Sequence, residues 1–98
     1  MKVEFLSVAQ LELADAAVYY ESVSKGLGVD FVSEVKNAVK AIDAHPEAWA
    51  VLQGDIRRIL LRRFPYALLY KARQGRIIVY AVMHLSRNPK AWKSRLKT

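Results

Sequence analysis

The sequence predicts an α+β domain spanning residues 1–98, in which an N-terminal helical hairpin packs on an antiparallel β-sheet and a short C-terminal helix follows. Three observations predict it. Two windows, from Leu11 to about Ser24 and from Val29 to Ala44, repeat apolar residues at helical spacing. After Gly54 the pattern changes to runs rich in Ile, Leu, Val and Tyr, separated by short breaks. Within them, Arg73-Gln74-Gly75-Arg76 has the chemistry of a tight turn between two strands.

In chain order, Lys2 to Leu6 alternates charged and apolar residues and predicts a short strand with one wet face. Ser7-Val8-Ala9-Gln10 matches a capping box, with Leu6 and Leu11 placed as a hydrophobic staple. The first helix should then turn Leu11, Ala14 and Val18 inward and Glu12, Asp15 and Ser22 outward. Gly26 and Gly28 should end it, because glycine tolerates the left-handed backbone that closes a helix. The second helix carries the stripe Phe31, Val32, Val35, Ala38, Val39, Ile42, with Asp30 suited to its positive start and His45 to its negative end. Pro46 stops it. So short a turn between the helices makes them an antiparallel hairpin.

Ile56–Phe64, Ala67–Arg73 and Arg76–His84 follow as three strands of a meander. Strand alternation through the first of them would place Arg57 and Arg63 on one face and Arg58 and Arg62 on the other. Asn88-Pro89 opens the short terminal helix, to about Leu96, since Pro suits the first helical position.

Composition narrows the function classes. At 98 residues and 53% hydrophobic, the chain can build one core and is not disordered. It contains no cysteine, which excludes disulfides, thiolate metal sites and thiol nucleophiles. Met1-Lys2-Val3-Glu4-Phe5 does not read as a signal peptide, and no run approaches the ~20 apolar residues of a membrane span. A cytoplasmic protein is expected. Charge is unevenly distributed: residues 1–53 hold four Lys against eight acids, a net of −4. Residues 54–98 hold twelve Lys or Arg against Asp55 alone, a net of +11, and the two halves give the chain its +7. A basic half of this kind suits a polyanion or an acidic partner.

No Gly-rich phosphate loop, H-E-x-x-H or G-x-S-x-G is present, and His45 and His84 lack clustered carboxylates, so neither a metal nor a cofactor is expected. His84 ends the last strand, with Arg87 three residues on. Together they could act as a general acid or base beside a phosphate clamp, or His84 could simply pack against the terminal segment. Arg58, Arg62 and Arg63 belong to the densest basic run and are candidates for binding phosphates without base specificity, or for an ordinary solvated rim. Trp92, among Lys90, Lys93 and Arg95, is a candidate anchor for the terminal helix.

Five pieces carry a family likeness when taken in order: Ala16-Ala17-Val18-Tyr19-Tyr20-Glu21; Gly26-Leu27-Gly28 with Phe31; Ile56-Arg57-Arg58; Arg63-Phe64-Pro65-Tyr66 with Tyr70; and Val82-Met83-His84-Leu85-Ser86-Arg87-Asn88-Pro89 with Trp92. The chain resembles the RelE/ParE toxin superfamily, whose members are often labelled plasmid stabilisation proteins. The resemblance implies two N-terminal helices on an antiparallel sheet and a cognate antitoxin that wraps the toxin. RelE-like members cleave messenger RNA in the ribosome; ParE-like members block DNA gyrase. Ala67 stands where the ribonucleases often place an arginine, and Trp92 where they usually place a tyrosine. An indole N–H cannot act as an acid or base. His84 with Arg87 is more reminiscent of ParE-like members, so the resemblance favours a toxin that inhibits gyrase by binding. The alternatives are a RelE-like ribosome-dependent endoribonuclease using His84, or a degenerate binding module.

Overall fold

The computed structural model describes residues 2–86. The elements run β1 (Lys2–Phe5), α1 (Ser7–Val23), α2 (Leu27–Ala44), β2 (Ala50–Gln53), β3 (Ile56–Leu60), β4 (Tyr66–Arg73) and β5 (Arg76–His84). One five-stranded sheet has the order β1-β5-β4-β3-β2, and the helical hairpin covers one of its faces. The α+β prediction therefore holds, with the meander β3-β4-β5 antiparallel throughout. The predicted terminal helix, with Arg87 and Trp92, lies outside the described residues.

The sheet is not wholly antiparallel: β1 pairs parallel to β5 at the edge, Lys2 opposite Arg76 and Phe5 opposite Val79. The intervening helices carry the chain back over the sheet, as a parallel connection requires. The turn predicted at Gln74-Gly75 is present, with φ of 52° and 75°, which matches the twist of the flanking strands. β2 was not predicted. All four of its residues are exposed and it pairs irregularly with β3, so it lacks the in–out alternation that marks a strand. β3 stops at Leu60 rather than Phe64, because Leu61 N–H donates across to the Tyr66 carbonyl and the chain bends through residues 62–65.

Both helices form where expected, but α1 is rotated. Ala9 and Ala16 are buried and Leu13, Ala17 and Tyr20 pack behind them, while Leu11 and Val18 are 64% and 70% exposed. Ala14 faces solvent as well. Glu12, expected outside, instead accepts the Val82 N–H at 3.1 Å. The capping box fails for a related reason. Leu6 N–H still belongs to the sheet, donating to the Val79 carbonyl, and the Leu6 carbonyl already accepts the first helical bond from Gln10. Leu6 is thus the cap and Ser7 is one position too late. The Gln10 amide donates to the Phe5 carbonyl instead.

Gly26 takes the left-handed conformation at φ 88°, as the turn needs. Gly28 has a different task from the one expected. It lies inside α2, where a Cβ would come 2.5 Å from the Ala17 carbonyl oxygen, so it sets how closely the helices approach. The Glu21 carboxylate seals the turn by accepting the N–H groups of Gly26 and Gly28. Those are orphan donors at the start of α2. Against the sheet, Phe31, Val35, Ala38 and Ile42 of α2 form the buried stripe. Aromatic rings fill one end of the core: Phe31 lies 5.4 Å from Tyr20, 5.1 Å from Phe64 and 5.0 Å from Tyr66. The opposite sheet face has its own smaller cluster of Ile56, Leu69 and Ala81, flanked by Tyr80 and Met83.

Candidate functional site

The bend at residues 61–65 organises one end of the sheet. It joins β3 to β4, and the Leu85 N–H donates to the Pro65 carbonyl at 2.9 Å, which ties the end of β5 to the same place. Arg62, Arg63 and His84 are therefore gathered at one end of the molecule. Arg58 is not among them. It lies in mid-strand opposite Leu69, on the face turned away from the helices. The expected alternation of Arg57 with Arg63 and of Arg58 with Arg62 is lost, because the strand ends before residues 62 and 63.

Arg57 is structural. Its guanidinium donates to the carbonyls of Glu47 and Trp49 at 3.1 and 2.8 Å, and the Tyr70 hydroxyl donates to the Pro46 carbonyl at 2.8 Å. Together they hold the connection between α2 and β2 against the sheet. Burial pushes the Tyr70 hydroxyl above its ordinary range, which keeps it a donor.

Glu34 of α2 holds the bend. One carboxylate oxygen accepts the N–H groups of both Arg62 and Arg63, at 2.5 and 2.8 Å. Arg63 in turn reaches Asp30 at 3.5 Å and stacks over Phe64 at 5.5 Å. The Arg62 guanidinium has no partner among the described residues. Beside this bend lies a groove of about 460 Å³ between α2 and β3. Glu34, Asn37, Ala38 and Ala41 form one wall at helical spacing; Ile59, Leu60 and Trp49 form the other, with Arg62 and Arg63 at its mouth. The Trp49 indole N–H is buried without a hydrogen-bond partner among the described residues, which leaves roughly 1–3 kcal/mol of desolvation uncompensated. Sequence reasoning missed Glu34 and Trp49. The available signal was a run of small and polar residues along α2 beside its apolar stripe, and a large aromatic just past the helix-stopping Pro46.

His84 is partly buried and stands edge-on to Tyr66, 5.0 Å between ring centres. Its Nδ1 accepts the Ser86 N–H at 3.2 Å, with the Ser86 hydroxyl at 3.1 Å. That bond places the neutral ring's proton on Nε2. The structure thus brings His84 near the bend with Arg62 and Arg63 but leaves Arg58 apart, and Arg87 and Trp92 fall outside the described residues. Among the described residues no group of three or more His, Cys, Asp or Glu side chains could hold a metal ion, and no helix is long and apolar enough to cross a membrane.

Comparison with known proteins places this architecture. No protein-family model and no curated protein matches the sequence. Among solved structures, the chromosomal ParDE TA system from P. aeruginosa superposes with a TM-score of 0.72 at 16% identity, over 88% of this chain and 97% of that one. The fold is ParE-like. At that identity the likeness speaks for the arrangement of helices and strands.

Proposed function

We propose that this chain is the toxin of a type II toxin–antitoxin pair, a ParE-like cytoplasmic protein that binds and inhibits DNA gyrase and is neutralised by a cognate antitoxin. The observation that carries the reading is the near-complete superposition on a chain of a ParDE system. The ordered motifs from Ala16 to His84 add to it, because they lie in the helices and strands, and the turns between them, that build this fold. Charge agrees with it: the basic half of the chain would draw an acidic antitoxin, speeding association and making it sensitive to salt.

A specific observation favours a second reading, ribosome-dependent cleavage of messenger RNA. His84 accepts at Nδ1 from Ser86, which leaves Nε2 as the protonated nitrogen, and it stands at the end of the sheet that the bend carrying Arg62 and Arg63 also occupies. A ribonuclease needs such a group, and general acid–base catalysis contributes roughly 100- to 10,000-fold. Against it, Ala67 is buried in β4 and offers no charge where the ribonucleases often place an arginine.

The experiment is induction in a host without the adjacent open reading frame, comparing the chain with His84→Gln and Arg87→Ala. The gyrase reading expects DNA synthesis to stop before translation, His84→Gln to stay toxic and Arg87→Ala to lose toxicity. Ribosome-dependent cleavage of messenger RNA that disappears in His84→Gln would replace it with the enzyme.

A further inference from the structure

We propose that the groove between α2 and β3 is the docking site for a carboxylate-bearing, apolar stretch of the antitoxin polypeptide, with the carboxylate at Arg62 and a backbone or side-chain oxygen at the Trp49 indole N–H. The inference rests on the toxin–antitoxin reading above and says where, and by what chemistry, that partner is held.

Hydrogen-bonding capacity argues for it first. Around the groove the Arg62 guanidinium and the Trp49 N–H are donors without acceptors among the described residues. One oxygen of Glu34 already accepts the N–H groups of Arg62 and Arg63. A segment that brings oxygens meets both unpartnered donors. The walls between these two points are Ala38, Ala41, Ile59 and Leu60, so it must also bring apolar surface. Leu60, at the rim, is 52% exposed and has apolar area left to cover.

Size and charge select a polypeptide over a nucleic acid. From Glu34 to Ala41 the wall is seven residues of helix, about 10 Å, the length of three extended residues or two helical turns. Arg63 is already paired with Asp30, and the Glu34 carboxylate lies against the same bend. Two arginines and two acids leave this end near neutral. That suits one carboxylate that meets Arg62, but not a chain of phosphates that would also meet Asp30 and Glu34.

The test titrates the antitoxin encoded beside this gene against the full chain and three variants: Trp49→Phe, Arg62→Gln, and Lys25→Ala on the hairpin turn, which does not line the groove. Trp49→Phe keeps the ring and removes only the N–H, so binding should weaken about three- to tenfold. The melting temperature of the free chain should hold or rise, because an unmet buried donor is gone; a purely structural role for Trp49 would lower it. Arg62→Gln should weaken binding about tenfold or more and flatten its salt dependence. Lys25→Ala should bind as the unaltered chain does. If the unaltered chain binds the antitoxin and Trp49→Phe and Arg62→Gln bind equally well, the groove is not the site. If a short single-stranded RNA displaces the antitoxin from the unaltered chain but not from Arg62→Gln, the occupant is a nucleic acid. If the unaltered chain does not bind the antitoxin at all, the toxin–antitoxin reading itself falls, and this proposal with it.

Discussion

The two helices of the hairpin answer the same physical question in different ways. α2 has one apolar stripe, Phe31, Val35, Ala38 and Ile42, and that stripe is what it buries. α1 is apolar on two sides: Leu11, Ala14 and Val18 form one ridge, and Ala9, Leu13, Ala16, Ala17 and Tyr20 the other. It buries the second, in which alanines stand beside Leu13 and Tyr20. Small residues decide the matter, because the helices touch closely where Gly28 meets Ala17, and alanines admit that approach while branched side chains would block it. Hydrophobic periodicity thus fixes a helix's rotation only when one stripe is available. With two, the neighbour's shape chooses.

The comparison predicts its largest effect in α2. Phe31 is fully buried among Tyr20, Phe64 and Tyr66. Phe31→Ala should cost about 3–5 kcal/mol in a denaturant titration, since both burial and ring contacts are lost. A cost below about 1 kcal/mol would mean that the aromatic cluster is not the core.

Next comes the seam between the helices. Gly28→Ala adds a single methyl, yet it meets a backbone oxygen at 2.5 Å that cannot rotate away. Overpacking of this kind should cost about 1–3 kcal/mol, against the stabilisation of roughly 1 kcal/mol that alanine gives over glycine inside an open helix. The sign of the change is the test. A stabilised Gly28→Ala would show that the helices do not approach as described, and would remove the reason given for the rotation of α1.

Much of the fold was legible from sequence because its elements alternate clearly between two periods. The β4–β5 turn was explicit in Gln74-Gly75, and the α2 stripe in its spacing. What was not legible depended on partners distant in sequence. Glu12, Glu21 and Glu34 look like ordinary surface charges of two helices, yet each carboxylate accepts backbone N–H groups from another element: Val82, the Gly26–Gly28 turn, and the Arg62–Arg63 bend. No local pattern announces such bonds. The site was legible to the same degree. His84 was found because it ends a recognisable strand, whereas the groove needed α2, Trp49 and the bend to come together in space.

Away from the helices, the sheet carries a charge cluster that should matter less than either seam. Asp55 reaches Lys71 at 3.2 Å and Arg73 at 3.1 Å. The hydrogen bond from Lys71 leads in holding its carboxyl below the ordinary value of 3.8, with the charges of Lys71 and Arg73 adding to it. The folded chain therefore binds that proton less tightly than the unfolded chain. Asp55's contribution is present above pH ~4 and is lost as pH falls through its folded value. Asp55→Asn should lower the melting temperature slightly at pH 7, and the gap to the unaltered chain should narrow as pH falls below about 4. Because the group is solvent-exposed, added salt should narrow the gap as well. A gap that widened in acid would reverse the assigned direction.

The smallest effect belongs to the ridge of α1 that the pattern first suggested as core. Leu11 and Val18, at 64% and 70% exposure, keep most of their surface in water. In the free chain Leu11→Gln and Val18→Gln should each change stability by no more than about 0.5 kcal/mol, the range for surface positions. The same replacement at a buried apolar position would remove a packed side chain and bury an amide, at a cost of several kcal/mol. The two outcomes are far enough apart for one urea titration to separate them. A loss of about 2 kcal/mol or more at Leu11 would mean that α1 buries the ridge of Leu11, Ala14 and Val18 after all, and that its rotation does not follow the fit against α2.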